Sequence, residues 1–245
     1  MKIIGHRGAR GEAPENTLVG FQYINDLGIR AVEFDVRQLK DGELIIMHDD
    51  NFLRTTGTDQ SLYDLDSTQL KAYNQANIWM DWEKQVTPTL RQSLKIMHDF
   101  DHIEVEVKAV ETAQQAEKLV IELQTQLQGF EHTAIITSFD LKIHQALQQQ
   151  RSHFKRGLLI EEGFAEANLA EKAIEQALEL QCCQIGWINQ LATNDIVKAT
   201  QNAGLAVSIW TVNDIERAKH LRDLGIQGLI TDFPKMMQTA LGQIQ

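Results

Sequence analysis

The chain places His6-Arg7-Gly8 and Pro14-Glu15-Asn16-Thr17 directly after the apolar pair Ile3-Ile4. A strand ending in an imidazole, a permanent cation and a glycine delivers two ionisable groups to one rim of a fold. Complementary acids follow in clusters: Glu33-Phe34-Asp35, His48-Asp49 and Glu104-Val105-Glu106-Val107-Lys108. Each cluster closes a run that reads as β-strand. Side chains at i and i+2 share a strand face, so Glu33 and Asp35 point one way, as do Glu104, Glu106 and Lys108. Val105 and Val107 then face covering helices, which turns the charged side inward. Inward carboxylates need compensation. One lysine and one arginine are too few for four acids, and a divalent cation would balance them. An all-oxygen carboxylate set suits Mg2+, Ca2+ or Mn2+ rather than zinc.

His6 and His48 end their runs beside this proposed ion. Imidazole gives and takes protons near neutral pH, so such a pair suits acid–base cleavage. Arg7 and Lys108 supply local positive charge, and a guanidinium suits bidentate binding of phosphate oxygens. Trp210-Thr211-Val212-Asn213 closes another run and offers an aromatic wall to the same rim. Together these groups describe metal-assisted attack on a phosphoester. Structural readings stand beside the chemical ones. Glu104 to Lys108 could be an internal ion-pair ladder, and Glu104 nothing more. Asn16 and Thr17 read as a helix start with Asn16 as cap, while Glu15 stays open. His98, His102, His132, His144, His153 and His220 read as surface or packing residues, and Trp79 and Trp82 as residues packed under a loop.

These residues sit within short β-branched runs that alternate with helical patterns, the signature of parallel sheet with crossover helices. Strands are expected at 2–6, 31–36, 44–48, 103–108, 133–138, 156–160, 184–188, 206–212 and 228–232. Helices are expected at 16–27, 67–73, 90–99, 111–127, 141–150, 165–180, 193–203, 214–224 and 235–242. Asn213 is expected to cap the helix carrying Ile215, Ala218, Leu221 and Leu224. Between the runs at 31–36 and 44–48 there is no helix, only Arg37 to Lys40 and an Asp41-Gly42 turn. Either a tight hairpin or an extended segment in place of the crossover helix would bring Asp35 near His48. After the third run, residues 49–88 hold one short helical pattern, and a connection this long is usually a lid or binding loop. Nine strand-like runs are present where an eight-stranded barrel needs eight.

With 245 residues, the chain lies close to the roughly 250 typical of a (β/α)8 barrel. The expected fold is therefore α/β, a single TIM-type barrel domain over 1–245. The net charge is −11, from 34 acids against 23 bases, without a basic tract. Such a surface disfavours nucleic acid and anionic membranes. No apolar run is long enough to span a bilayer. The chain is expected to have entered a strand by residue 3, so no signal peptide is expected. Cys182 and Cys183 are adjacent in an apparent strand and point to opposite faces, which disfavours a disulfide. A cytoplasmic setting is the simple expectation.

The chain resembles the glycerophosphodiester phosphodiesterase family over nearly its whole length. The likeness rests on His6-Arg7-Gly8, Pro14-Glu15-Asn16-Thr17, Glu33-Phe34-Asp35-Val36, Lys40-Asp41-Gly42, His48-Asp49 and Leu53-Arg54-Thr55-Thr56. It continues through Pro88-Thr89-Leu90, Glu106-Val107-Lys108, Ser138-Phe139, Trp210-Thr211-Val212-Asn213 and Thr231-Asp232-Phe233-Pro234. The resemblance implies a phospholipase C-like TIM barrel with one divalent cation, Mg2+ or Ca2+ with Mn2+ as a further option, held by Glu33, Asp35 and Glu106. It implies His6 and His48 as the acid–base pair, Arg7 and Lys108 on the phosphoryl oxygens, and Trp210 against the glycerol end. The implied reaction turns a small-molecule glycerophosphodiester into glycerol 3-phosphate and a free alcohol. A lysophospholipid-cleaving phosphodiesterase and a non-catalytic phosphate- or metal-binding barrel are the alternatives.

Overall fold

A computed structural model of the chain describes residues 1–161 and 168–242. Its strands are β1 (Lys2–His6), β2 (Ala31–Gln38), β3 (Leu44–Ile46), β4 (His102–Val107), β5 (Ala134–Ser138), β6 (Lys155–Ile160), β7 (Gln184–Ile188), β8 (Ala206–Trp210) and β9 (Gly228–Thr231). Its α-helices are α1 (Leu18–Asp26), α2 (Leu53–Thr56), α3 (Leu90–Ile96), α4 (Ala113–Gln126), α5 (Leu141–Gln149), α6 (Leu169–Glu179), α7 (Asn194–Asn202), α8 (Ile215–Asp223) and α9 (Pro234–Ala240). The sheet runs β1-β9-β8-β7-β6-β5-β4-β2-β3 and closes through a β1–β2 pairing. Eight parallel strands thus form a closed barrel, with β3 outside it, antiparallel to β2. The fold is the TIM barrel expected from the alternation.

β3 is the run in excess. Its three residues pair with Val36, Arg37 and Gln38 across the Asp41-Gly42 turn, so the hairpin alternative holds. The barrel's third strand is β4, and the β2-to-β4 connection runs through β3, α2, 3-10 turns at Leu62–Asp64 and Ser67–Ala72, and α3. The helix expected at 67–73 is that second 3-10 turn. Residues 165–167 of the helix expected at 165–180 lie outside the described residues; the remainder forms α6.

Local signals explain the regular part. In α4, Ala116, Leu119, Val120 and Leu123 recur at helical spacing and are buried. Thr112 caps that helix and Gln115 completes a capping box. These apolar side chains pack on Val105 and Val107 of β4 and Ile136 of β5, in one continuous layer outside the barrel. A second layer, with Trp187, Val207, Ile209 and Leu229, covers the opposite side. Alternation on β2 and β4 therefore sends Glu33, Asp35, Glu104 and Glu106 into the barrel.

Candidate active site

β1 ends at His6, and the chain turns sharply through Arg7 and Gly8, whose φ angles are 51° and 88°. The turn folds so closely that a Cβ on Gly5 would lie 1.9 Å from the Gly8 carbonyl oxygen. It directs the Arg7 backbone N–H to Glu33 Oε2 at 3.1 Å and the guanidinium to Glu15 at 3.0 Å and Asp35 at 3.2 Å. Burial opposes the Arg7 charge, but Asp35, Glu15 and Glu33 outweigh it and hold the group more firmly protonated.

On the neighbouring strands Glu33 pairs in register with Glu104, and Asp35 with Glu106. One carboxylate oxygen each from Glu33, Asp35 and Glu106 lies within 4.8 Å of the others. Lys108 Nζ sits 2.6 Å from Asp35 Oδ1 and also contacts Glu106 Oε1. Burial, then repulsion from Asp35 and Glu106, pushes Glu33 well above the usual carboxylate range. Burial also raises Glu106, against the pull of Lys108. Asp35 moves the other way: burial would raise it, but Lys108 and Arg7 hold it well below the ordinary range. Glu33 Oε1 is buried and has no hydrogen-bond partner. Crowded like charges, an orphaned oxygen and an all-carboxylate donor set fit a hard divalent cation.

Each of the two histidines is backed by an aspartate. His6 Nδ1 lies 2.6 Å from Asp232 Oδ1, just beyond β9, and Asn213 Nδ2 donates to Asp232 Oδ2 at 2.8 Å. Burial pushes His6 below its ordinary value; the Asp232 hydrogen bond opposes that and Arg7 reinforces it. With Asp232 held ionised, Nδ1 carries the proton and Nε2 faces the carboxylates, 3.9 Å from Glu33. His48 follows β3, with Nδ1 2.7 Å from Asp49 Oδ1. Arg54 in α2 donates to Asp49 at 2.6 Å and forks onto Glu15 at 2.9 and 2.6 Å. Glu15 is thus shared by Arg7, Arg10 and Arg54.

Trp210 closes β8. Its indole N–H donates to Gly186 O at 3.2 Å, and Phe139 meets it edge-on. Its ring lines a small cavity with His6, Glu33, Glu104 and Glu106. All eight residues singled out from the sequence therefore converge on one end of the barrel, where strand C-termini meet.

Glu104 stands apart from the three-carboxylate cluster. It accepts from Ser208 Oγ at 3.0 Å and lies 3.0 Å from His102 Nε2. Two expected caps are corrected. Thr17, not Asn16, caps α1, and Asn16 instead donates to Asp35 at 2.8 Å. Asp214, not Asn213, caps α8, which frees Asn213 for Asp232. Sequence reasoning missed Asp49, Arg54 and Asp232 as site residues. All three lie inside motifs that carry the family resemblance, Asp49 and Arg54 close to His48 in sequence, but Asp232 stands 226 residues from His6 with no spacing to link them.

The model of the glycerophosphoryl diester phosphodiesterase family matches residues 6–236. The chain belongs to that family. A glycerophosphodiester phosphodiesterase of Caldanaerobacter subterraneus is 26% identical over 96% of this chain and 95% of its own length. A human lysophospholipase D is 24% identical over 98% of this chain and 86% of its own. In fold, an Oleispira antarctica phosphodiesterase solved with sn-glycerol-3-phosphate superposes with a TM-score of 0.87 at 24% identity, covering 99% and 97% of the two chains. As a member of the glycerophosphoryl diester phosphodiesterase family, the chain is an enzyme of the phosphoric diester hydrolase class.

Proposed function

We propose that residues 1–245 act as one barrel domain that hydrolyses deacylated glycerophosphodiesters to glycerol 3-phosphate and an alcohol. The observation that carries this reading is the three-carboxylate cluster flanked by two aspartate-backed imidazoles. Glu33, Asp35 and Glu106 would hold one divalent cation, Mg2+ or Ca2+ with Mn2+ as a further option. Bound there, such an ion supplies Lewis-acid polarisation of a phosphoryl oxygen and neutralises charge gathering on it.

Arg7 and Lys108 bind and orient the non-bridging oxygens, while Trp210 packs on the glycerol end. His6, with Nδ1 fixed by Asp232, takes the proton of the neighbouring glycerol hydroxyl at Nε2. That oxygen attacks phosphorus, the P–O bond to the alcohol breaks, and His48 gives the departing alcohol its proton. Water then opens the cyclic phosphate with the two imidazoles exchanging roles. Intramolecular attack gains from proximity, roughly 7 to 11 kcal/mol in the best cases. Burial favours a neutral His6, which supports it as the base. His48, held by Asp49 at a more exposed position, borders an open cavity through which an alcohol can leave.

A lysophospholipid substrate needs an apolar cleft for its acyl chain. That chain would extend from the glycerol end, where the cavity beside Trp210 is small and lined by His6, Glu33, Glu104 and Glu106 as well as Leu159 and Ile230, which favours a deacylated substrate. Choline release is measured with glycerophosphocholine and lysophosphatidylcholine, with each metal and with chelator. Turnover of the deacylated diester that chelator abolishes is expected. Strong preference for the lipid would overturn the substrate class, and no turnover of either would favour a non-catalytic barrel. Among the described residues no helix is long and apolar enough to cross a membrane, and a cytoplasmic place of action is part of this proposal.

A further inference from the structure

Arg37 continues the inward alternation of β2 by one step beyond Glu33 and Asp35. Lys108 stands at the corresponding place beyond Glu106, where its backbone N–H reaches Val36 O at 3.2 Å. The two cations differ in their partners. Lys108 is balanced by Asp35 and Glu106. Arg37 donates only to neutral oxygens, from Nε to His48 O at 2.8 Å and from Nη1 to Tyr63 Oη at 2.7 Å. Among the described residues no carboxylate forms an ion pair with it, so its charge is uncompensated in a protein of net charge −11.

Arg37 lines two cavities at this rim. One, of about 470 Å3, contains His48; the other, of about 580 Å3, contains Lys108 and also Lys40 and Tyr63. Each is large enough for a small polar alcohol. In the closed order of strands, β4 lies directly across the barrel from β8. The cavity beyond Lys108 is therefore opposite Trp210, on the side a substrate's alcohol would occupy if its glycerol end packs on Trp210. Asp50 and Glu111 also border the larger cavity, so its wall is mixed in charge, with Arg37 anchored at the edge shared by the two cavities.

We propose that Arg37, assisted by Lys40, selects glycerophosphodiesters whose leaving alcohol carries an anionic group, a carboxylate or a second phosphate. The inference rests on the proposed function and specifies its substrate class. A guanidinium already held by two neutral acceptors is fixed in place and keeps its charge for an incoming oxyanion.

The test compares kcat/KM for three diesters: glycerophosphoserine, glycerophosphoethanolamine, which lacks only the carboxylate, and glycerophosphoglycerol phosphate. The wild-type enzyme is expected to favour an anionic head group, with the two anionic arms showing whether carboxylate or phosphate fits better. In Arg37→Gln the ratio of the favoured anionic substrate to the ethanolamine ester should fall by about tenfold or more. Arg37→Lys should restore part of it, and Lys40→Gln, which leaves the His48 contact in place, should lower it by about twofold to threefold. A wild-type preference for the ethanolamine ester would overturn the proposal. So would an equal fall for all substrates in Arg37→Gln, since that reports only displacement of His48. If the wild-type enzyme turns over none of the three, the proposed function itself fails and this inference with it.

Discussion

Glu33 is electrostatically crowded, because its buried carboxylate faces two others and leaves one oxygen without a hydrogen-bond partner. Its folded-state value is raised, so without a cation the folded protein keeps a proton that the unfolded chain loses above the ordinary carboxylate range. Stability therefore falls as pH rises through that interval, and Glu106 acts in the same direction. A cation binds the ionised carboxylates and removes the penalty. Calorimetric melting with and without Mn2+ should show a larger rise in Tm at about pH 8 than at about pH 5. An equal rise at both would argue against ligation by these carboxylates. At the imidazoles, His6→Ala and His48→Ala should each lower kcat by at least about a hundredfold while melting as folded proteins. Asp232→Asn, which no longer fixes the His6 tautomer, should lower kcat by at least about tenfold, with a smaller change in KM. Unchanged kcat would remove Asp232 from the machinery.

At the scale of elements, the turn after β1 sets His6 and Arg7 together, and Gly5 is what lets it close. Gly5→Ala should cost about 1 to 3 kcal/mol or more, read from the urea midpoint, because its Cβ meets backbone oxygen rather than a movable side chain. Just before β7, burial pushes Cys182 up to about 12, whereas Cys183 is exposed. At about pH 8 a thiol reagent should modify Cys183 alone, as peptide mass mapping would show; labelling of both would mean that this strand end opens. The cluster of Glu33, Asp35, Glu106 and Lys108 was legible because strand alternation has a strict period of two. The histidines were legible because each closes an apolar run. Local signals failed where a long-range partner competed for the same side chain. Asn16 and Asn213 both suit a helix cap, yet each is drawn to an aspartate, Asp35 and Asp232. Nor could apolar content distinguish β3, only three residues long, from a barrel strand.

Over the whole molecule, barrel closure makes one site from distant pieces. The β1–β2 pairing puts His6 beside Glu33, the β2–β4 pairing puts Asp35 beside Glu106, and β9 returns Asp232 to His6. The long β2-to-β4 connection adds His48 and then secures it through Asp49, Arg54 and Glu15. The chemistry proposed for this rim depends on one ion bound among three acids that lie on two adjacent strands. Crystals grown with Mn2+ would locate that ion by its anomalous scattering. A single strong peak in contact with Glu33, Asp35 and Glu106, lost in Glu33→Gln crystals, is expected. A peak elsewhere, or none at this cluster, would contradict it.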